Sequence, residues 1–206
     1  MTDTDRAIQR RFAFSGRNRN LPWYPRRGKR TDLAVLFAAL GFNIGVEIGT
    51  RTGEFAEVLC QANPELTLSC VDPWSEYSTR SQDTQDRNYA EARSRLAEYP
   101  RCILVRQPSL SAAPFFMDGS LDFVFIDGNH LFDYAMADII IWAPKVRDCG
   151  IVAVHDYHPF TGSDVRLAVD AYTSAHHIDP WYVTREMEPT AYWVRRTPPV
   201  SDKSRH

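Results

Sequence analysis

Short apolar runs recur along this chain, and longer segments with helical spacing separate them. Runs with few polar interruptions are typical of strands buried on both faces of a parallel sheet. The segments between them carry apolar residues at intervals of three and four, which is the spacing of a helix packed on such a sheet. The pattern therefore predicts an α/β fold with helices on both faces of a parallel sheet.

The bounds of the predicted elements follow from the same pattern. The predicted strands are 44–48, 66–71, 102–106, 121–126 and 151–154. The predicted helices are 31–40, the segment from 54 to about 62, a helix ending at 99, 109–116, 132–146 and 165–175. The last two apolar segments, 181–184 and 191–194, are too close together for a helix, so they predict an antiparallel hairpin at the sheet edge.

The turn after the first strand has the form E-x-G-x-x-x-G, with Glu47, Gly49 and Gly53 at its fixed positions. Such glycines permit positive φ and a close approach of the backbone to a ligand. A dinucleotide fingerprint needs another glycine where this chain has Arg51, so NAD is disfavoured. A ligand without phosphates fits the turn better, with an ammonium group near Glu47.

Asp72 ends the second strand, 23 residues after Gly49. An acid at this position accepts hydrogen bonds from both hydroxyls of a ribose in dinucleotide-binding folds. A helix cap or a solvated carboxylate is the alternative interpretation. Trp74, two residues further on, could cover an adenine or shield the sheet edge. Together with the glycine turn, Asp72 predicts that a nucleoside binds at this strand end.

Acids and histidines follow two further strands: Asp127 and His130 after 121–126, and His155 and Asp156 after 151–154. Carboxyl ends of parallel strands line the ligand crevice of an open sheet. Neighbouring strand ends lie ~5 Å apart, so short side chains from both can reach one ion. Because successive residues point to opposite faces, His155 and Asp156 both face that ion only if the chain bends there. Otherwise Asp156 is the ligand and His155 packs against a helix.

At these residues the chain resembles a known family. The matching segments, in order, are Val46-Glu47-Ile48-Gly49-Thr50-Arg51-Thr52-Gly53, Val71-Asp72-Pro73-Trp74, Phe125-Ile126-Asp127-Gly128-Asn129-His130 and Val154-His155-Asp156-Tyr157. They resemble class I S-adenosylmethionine-dependent methyltransferases, above all the small bacterial branch of macrocin-type O-methyltransferases and cephalosporin-hydroxylase-like proteins. The resemblance covers about residues 31–195. It implies a Rossmann-like, doubly wound sheet of seven strands, mostly parallel, with the C-terminal antiparallel hairpin.

The resemblance also implies a cofactor site for S-adenosylmethionine. Its candidate residues are Glu47, Gly49, Thr50, Gly53, Asp72, Trp74, Ser109 and Asp127. The acid and glycines of the turn would hold the methionine part, and the acid after the second strand would hold the ribose. Ser109 would lie near the adenine. Asp127 would sit beside the sulfonium and would ligate Mg²⁺ in metal-dependent members.

This chain departs from the macrocin-type pattern at the reaction centre. In relatives, Gly-Asp-His is often followed by Ser-Tyr, whereas this chain has Gly128-Asn129-His130 followed by Leu131-Phe132. Macrocin-type enzymes also have two adjacent acids after the fifth strand, where this chain has His155-Asp156. Imidazole suits Mn²⁺ or Zn²⁺ better than the harder Mg²⁺. We expect one divalent ion, Mg²⁺ or Mn²⁺, on Asp127, His155 and Asp156, with His130 as the base. A metal-free route, with His130 or His155 taking the proton, is the alternative.

Residues 1–30 form a basic arm on an acidic body, with nine Lys or Arg and two acids. A basic arm could bind nucleic acid. Its interleaved large apolar side chains instead favour docking on its own domain as a lid over the crevice; these are Phe12, Phe14, Leu21, Trp23 and Tyr24. We therefore expect an arm over 1–30, a methyltransferase domain over 31–197 and a disordered tail over 198–206.

Length and composition are those of one globular domain, and no apolar stretch is long enough for a membrane span. The four cysteines are widely spaced, which predicts buried thiols in a reducing compartment, so a cytoplasmic location is expected. The sequence thus predicts an O-methyltransferase for a small hydroxylated acceptor, such as a sugar or natural product. The alternatives are a metal-assisted hydroxylase-like enzyme and an RNA-binding or RNA-modifying protein. A homo-oligomer is compatible with the sequence, and a nucleic-acid or membrane partner is disfavoured.

Overall fold

Seven strands form one sheet in the computed structural model, which describes residues 1–14, 21–77, 80–159 and 164–197. The helices are α1 (Asp3–Phe12), α2 (Arg30–Ala39), α3 (Glu54–Ala62), α4 (Gln82–Arg95), α5 (Ser109–Ala112), α6 (Phe132–Trp142) and α7 (Val165–Ala175). The strands are β1 (Ile44–Ile48), β2 (Thr67–Asp72), β3 (Cys102–Arg106), β4 (Leu121–Ile126), β5 (Val146–Val154), β6 (Tyr182–Val183) and β7 (Ala191–Val194). Short 3₁₀ turns follow α5 and α6, over Ala113–Phe115 and Ala143–Lys145.

The strand order is β3-β2-β1-β4-β5-β7-β6. The first five strands are parallel to their neighbours, whereas β7 runs antiparallel to β5 and β6 antiparallel to β7. The predicted Rossmann-like, doubly wound sheet and its C-terminal antiparallel hairpin are confirmed. Because the order turns back after β1, the ends of β1 and β4 flank a switch point, where an open sheet binds its ligands.

Alternation along the strands divides the core between the two faces of the sheet. In β4, Val124 and Ile126 pack with helices α5, α6 and α7, whereas Phe123 and Phe125 pack with α1, α2 and α3. All four side chains are buried. Both faces are therefore covered, which explains why the central strands carry near-continuous apolar runs.

Two predicted helices end earlier than expected because of proline. Pro144 and Pro114 each fall within the 3₁₀ turn that follows α6 or α5. Proline has no backbone N–H to continue the helical hydrogen bonds, so the regular helix ends before it. Val146 then begins β5 five residues before the predicted start, and the register with β4 shifts between Leu121 and Phe123.

The N-terminal arm begins with a helix that the sequence pattern did not predict. Thr2 and Asp5 form a capping box at the start of α1, and Ile8 and Phe12 are fully buried against the α2 and α3 face of the sheet. Thr4 Oγ1 donates to the carbonyl of Cys149, at the end of β5 remote from the crevice. The arm does dock on its own domain. The predicted lid is wrong for α1, because this helix covers a face of the sheet and not the strand ends.

The returning part of the arm follows the hairpin edge. The N–H of Trp23 donates to the Trp181 carbonyl, and the N–H of Val183 donates to the Trp23 carbonyl. The N–H of Arg185 donates to the Gly28 carbonyl, so the chain is held beside the hairpin until α2 begins. This contact brings the start of α2 to the crevice. The predicted disordered tail over 198–206 lies outside the described residues.

Two further predictions from the sequence concern membrane-spanning helices and the burial of the cysteines. In the described ranges, none of the helices has the length and apolar character required to cross a membrane. The cysteines are free thiols, of which Cys60 and Cys70 are buried and Cys102 and Cys149 are partly buried. Burial of thiols is thus confirmed for two of the four.

Candidate active site

The ends of three neighbouring strands lie level at the switch point. The N–H of Gly49 donates to the Val71 carbonyl at 2.8 Å, and the N–H of Asp127 donates to the Ile48 carbonyl at 2.8 Å. The N–H of His155 continues the same ladder to the Ile126 carbonyl at 2.8 Å. The residues that follow each strand therefore emerge side by side along one crevice.

The glycines of the first turn are required by close packing. Gly49 has φ of 88°, and a Cβ built on it would lie 2.0 Å from the carbonyl oxygen of Asp127. Gly53 has φ of 79° at the N-cap of α3, where no side chain caps the helix. Only residues without a side chain fit these two positions. The turn therefore lies directly against the end of β4.

Beneath this turn, two buried polar side chains have unsatisfied atoms. Glu47 is 2 % exposed and Thr50 is 4 % exposed. Glu47 Oε2 and Thr50 Oγ1 have no hydrogen-bond partner within the part of the chain that the structure describes. Burial raises the pKa of Glu47 to about 8; the nearby Thr50 hydroxyl lowers it in part, although its geometry does not make a hydrogen bond, and the charges of Asp127 and Asp72 add to the rise. A buried polar atom without a partner costs about 1–3 kcal/mol, so these atoms mark a place where a ligand would be stabilising.

Asp72 lies at the end of β2 and is held by backbone groups. Its Oδ2 accepts from the N–H of Arg51 at 2.9 Å, and its Oδ1 accepts from the N–H of Trp74 at 2.8 Å. Burial raises the pKa of Asp72 despite these two hydrogen bonds. Each carboxylate oxygen has a second lone pair, so the fixed carboxylate can still accept from a ligand.

Trp74 is fully buried, and its indole N–H donates to the Arg51 carbonyl at 2.7 Å. Its ring packs on Tyr89 with a centroid separation of 4.9 Å. Trp74 therefore fixes the backbone on both sides of the Asp72 carboxylate.

Ser109, the predicted neighbour of an adenine, belongs to a buried network at the start of α5. Its hydroxyl donates to Asp138 Oδ1 and accepts from the indole N–H of Trp142 at 2.8 Å. Burial raises the pKa of Asp138 to about 6. Asp138 Oδ2 lies 3.2 Å from the position that a Cβ would take on Gly128. The network thus supports the turn after β4 from below.

The structure brings the predicted acids and histidines after β4 and β5 close together. His130 Nε2 lies 2.9 Å from Asp156 Oδ2 and 3.9 Å from Asp127 Oδ1. The carboxylates of Asp127 and Asp156 raise the pKa of His130 to about 10. Burial opposes ionisation of Asp127 and Asp156, but His130 and His155 outweigh it and lower the pKa of both acids. Ligand atoms of Asp127, His130 and Asp156 lie within 4.8 Å of one another, close enough to hold one cation.

His155 and Asp156 both face this centre because the chain bends between them. Asp156 has φ of 60°, in the left-handed region, so the alternation of β5 ends there. His155 Nδ1 lies 3.3 Å from Asp156 Oδ1 and 3.5 Å from Asp127 Oδ1. Of the two sequence alternatives, the structure has the bent one.

Arg30 is the site residue that the sequence analysis missed. Its Nη1 lies 3.1 Å from His155 Nε2 and 3.8 Å from Asp127 Oδ2. Because a guanidinium only donates, His155 Nε2 accepts, and the ring proton is on Nδ1, facing the carboxylates. Burial lowers the pKa of His155, but the two carboxylates outweigh it and raise the pKa to about 9. A guanidinium against the other ring nitrogen opposes that protonation. In the sequence, Arg30 is one arginine among many in the arm, and only the docking of the arm distinguishes it.

Two further residues border the centre. His158, two residues after Asp156, has its Nε2 3.5 Å from Asp156 Oδ1. Glu188, in the turn of the β6–β7 hairpin, offers an oxygen within 4.8 Å of ligand atoms of His155 and Asp156. Glu188 lies in a loop distant in sequence, so no local motif identified it.

Comparison with known proteins places this site in a family. Residues 46–157 match the model of a family described as a methyltransferase domain. No curated protein matches the chain. Many solved structures share its fold, and three examples show the degree of likeness to this chain. A candidate O-methyltransferase from Klebsiella pneumoniae is 16% identical, with a TM-score of 0.60 over 93% of this chain and 89% of that one. The O-methyltransferase NovP is 18% identical, with a TM-score of 0.60 over 82% and 80%. An rRNA methylase from Streptococcus thermophilus is 10% identical, with a TM-score of 0.61 over 82% and 98%.

Proposed function

This chain belongs to the methyltransferase domain family that residues 46–157 match, and we propose that it methylates a hydroxyl oxygen of a small acceptor. It is a class I S-adenosylmethionine-dependent methyltransferase, with the sheet order and hairpin of that fold. The observation that carries the proposal is the meeting of two groups at one crevice. Unsatisfied Glu47 and Thr50 lie at the first turn, and the Asp127, His130 and Asp156 cluster lies beside it.

The cofactor would lie along the ends of β1 and β2. Glu47 offers an unsatisfied buried oxygen to an ammonium group, and Thr50 offers an unsatisfied hydroxyl. Asp72, fixed by two backbone N–H groups, is oriented to accept from ribose hydroxyls. This placement would put the sulfonium near Asp127, because Asp127 contacts the glycine turn directly.

Methyl transfer then requires little beyond alignment of the acceptor. When bound, S-adenosylmethionine would supply the methyl group: the acceptor oxygen would take it as the carbon–sulfur bond breaks, and the hydroxyl proton would pass to the ionised carboxylates beside it. Asp127 and Asp156 are ionised and concentrate negative charge where that proton departs. Small hydroxylated compounds such as sugars or natural products are the proposed acceptors.

The same cluster fits a divalent cation, with Asp127, His130 and Asp156 as its ligands. Two carboxylates and one imidazole form a donor set suited to Mn²⁺ and acceptable to Mg²⁺. A bound cation would lower the pKa of an acceptor hydroxyl. The contact of Arg30 with His155 Nε2 favours His130 over His155 as the imidazole ligand. His155 would instead orient the two carboxylates through its Nδ1–H.

The acceptor is tested by incubating the protein with S-adenosylmethionine and a panel of hydroxylated sugars and natural products. We expect a mass increase of one methyl group on an oxygen, and formation of S-adenosylhomocysteine, for at least one class. Methylation found only on nitrogen, or only on RNA, would overturn the proposed acceptor and leave the family assignment intact.

Removal of divalent cations tests the metal separately. We expect EDTA to abolish turnover and Mn²⁺ or Mg²⁺ to restore it, because the bound cation would lower the pKa of the acceptor hydroxyl. Calorimetric titration of Mn²⁺ should give one site that the Asp156→Asn variant loses and the exposed Asp133→Asn variant keeps. Full turnover in chelator would exclude the cation from the reaction.

A further inference from the structure

Resting on the proposed cofactor placement, we propose that Arg30 binds the α-carboxylate of the amino-acid part of the cofactor. Arg30 is the first residue of α2 and lies outside the family match over residues 46–157. It would therefore be a binding residue supplied by the arm to a site otherwise built from strand ends.

The location of the guanidinium suits an anion. Its Cζ lies 5.5 Å from the ring centroid of Phe55, the second residue of α3. The N-cap of α3 is Gly53, which has no side chain to cap the first N–H groups of the helix. A helix N-terminus and a guanidinium both stabilise negative charge, so the space between them favours a carboxylate.

The guanidinium also keeps hydrogen-bonding capacity for a ligand. Its hydrogen bond within the described ranges is to His155 Nε2, and its nearest carboxylate, Asp127, is 3.8 Å away and beyond hydrogen-bond distance. An arginine presents five N–H donors in a planar fork that matches a carboxylate. About a third of the Arg30 side chain is exposed, so a ligand in the crevice can reach it.

Glu47 supplies the complementary charge for an amino acid. An α-amino acid presents an ammonium and a carboxylate on one carbon, and it needs an acid and a base from the protein. Glu47 has the unsatisfied buried oxygen, and its pKa, raised by burial, is lowered by the nearby charge of Arg30. Arg30 is thus near enough for its charge to act on Glu47, and a bound amino acid would bring its ammonium to Glu47 and its carboxylate to Arg30.

Arg30 is held in place before any ligand binds. Its backbone N–H donates to Glu186 Oε1 at 2.6 Å, and the Thr184 hydroxyl donates to the same oxygen at 2.8 Å. The arm and the C-terminal hairpin thus fix the backbone from which the guanidinium extends. A preorganised charge reduces the ordering cost of binding.

Calorimetry with a matched ligand pair tests this role. S-adenosylhomocysteine carries the carboxylate, whereas S-adenosyl-3-thiopropylamine keeps the amine and lacks the carboxylate. Arg30→Ala should weaken binding of S-adenosylhomocysteine about ten-fold to a hundred-fold, the size of a lost hydrogen bond to a charged group. It should leave the affinity for the decarboxylated ligand unchanged. Arg30→Lys should recover part of the loss, and Arg27→Ala, an exposed arginine of the same arm, should bind both ligands like the wild type.

Three outcomes would overturn the proposal. Equal weakening of both ligands by Arg30→Ala would make Arg30 a structural residue. Unchanged S-adenosylhomocysteine affinity with a raised acceptor KM would assign Arg30 to an anionic acceptor. Failure of the wild type to bind either ligand would overturn the proposed cofactor placement itself, and the Arg30 proposal with it.

Discussion

The two halves of the crevice treat their polar groups in opposite ways. In the cofactor half, defined by Glu47, Thr50 and Asp72, buried atoms lack partners or are raised in pKa by burial. In the reaction half, defined by Asp127, His130, His155 and Asp156, acids and imidazoles pair with each other and the pKa values of the acids are lowered. The cofactor half is thus unfavourable until a ligand completes it. In the reaction half the acids and imidazoles balance one another in charge, although His155 Nδ1 has no hydrogen bond among the described residues.

This difference teaches which half depends on a ligand for stability. Burying a polar group without a partner costs free energy that a bound molecule can return. A cluster of opposite charges stabilises itself, so removing one member leaves the others uncompensated. Substitutions in the two halves should therefore change stability with opposite signs while both reduce function.

The largest effect is expected in the reaction half. Asp127→Asn should lower turnover roughly 100-fold or more, the size that management of a proton contributes to catalysis. It should also lower stability at pH 7, because a carboxyl with a lowered pKa stabilises the fold when ionised. Steady-state kinetics and urea unfolding measure the two effects. The exposed Asp133→Asn variant is the charge-matched control, and normal turnover in Asp127→Asn would dismiss this residue from the reaction.

An intermediate effect is expected at the ribose position of the cofactor half. Asp72→Ala should weaken S-adenosylhomocysteine binding by about 1–3 kcal/mol, because two ribose hydroxyls lose their acceptor. Adenine alone, which has no ribose, should bind the wild type and the variant equally in calorimetry. Asp83→Asn, an exposed acid at the start of α4, should change neither affinity. Equal S-adenosylhomocysteine affinity in Asp72→Ala and the wild type would show that the ribose does not bind at this strand end.

The smallest expected effect is on the stability of the free protein, which a substitution in the cofactor half should increase. The pKa of Glu47 is raised from 4.5 to about 8, so the stability of the free protein should fall as pH rises between these values. Glu47→Gln should therefore be more stable than the wild type by about 1 kcal/mol or more at pH 8. The two should differ little at pH 5.

Urea unfolding at both pH values measures this difference, with the exposed Glu54→Gln as the control. The same Glu47→Gln variant should bind S-adenosylhomocysteine less tightly, because the ligand ammonium loses its anion. A variant that is destabilised at pH 8 would show that Glu47 already has a partner in the free protein.

Predictability from sequence differs between the two halves for a physical reason. Four acids lie at or just after the end of a strand whose apolar run is visible in the sequence: Glu47, Asp72, Asp127 and Asp156. Their convergence therefore follows from the geometry of a parallel sheet. The bend that turns both His155 and Asp156 inward depends on one φ angle, which the sequence left open.

The packing of the N-terminal arm could be predicted from the sequence only in part. Its apolar residues predicted docking, but where α1 packs depends on the shape of a sheet face built from residues over 100 positions away. The same long-range packing places Arg30 in the crevice. Arg30 and Glu188 reach the site through contacts between distant segments, and local patterns carry no signal for such contacts.

The left-handed backbone of Asp156 restricts which residues position 156 can tolerate. Among residues with side chains, aspartate and asparagine adopt this conformation most readily, and glycine adopts it without strain. In a saturation library, Asn and Gly should therefore fold well there, whereas β-branched residues should be depleted even when selection is for folding alone. Asn keeps the bend and removes the charge, so one substitution separates what the backbone needs at this position from what the chemistry needs.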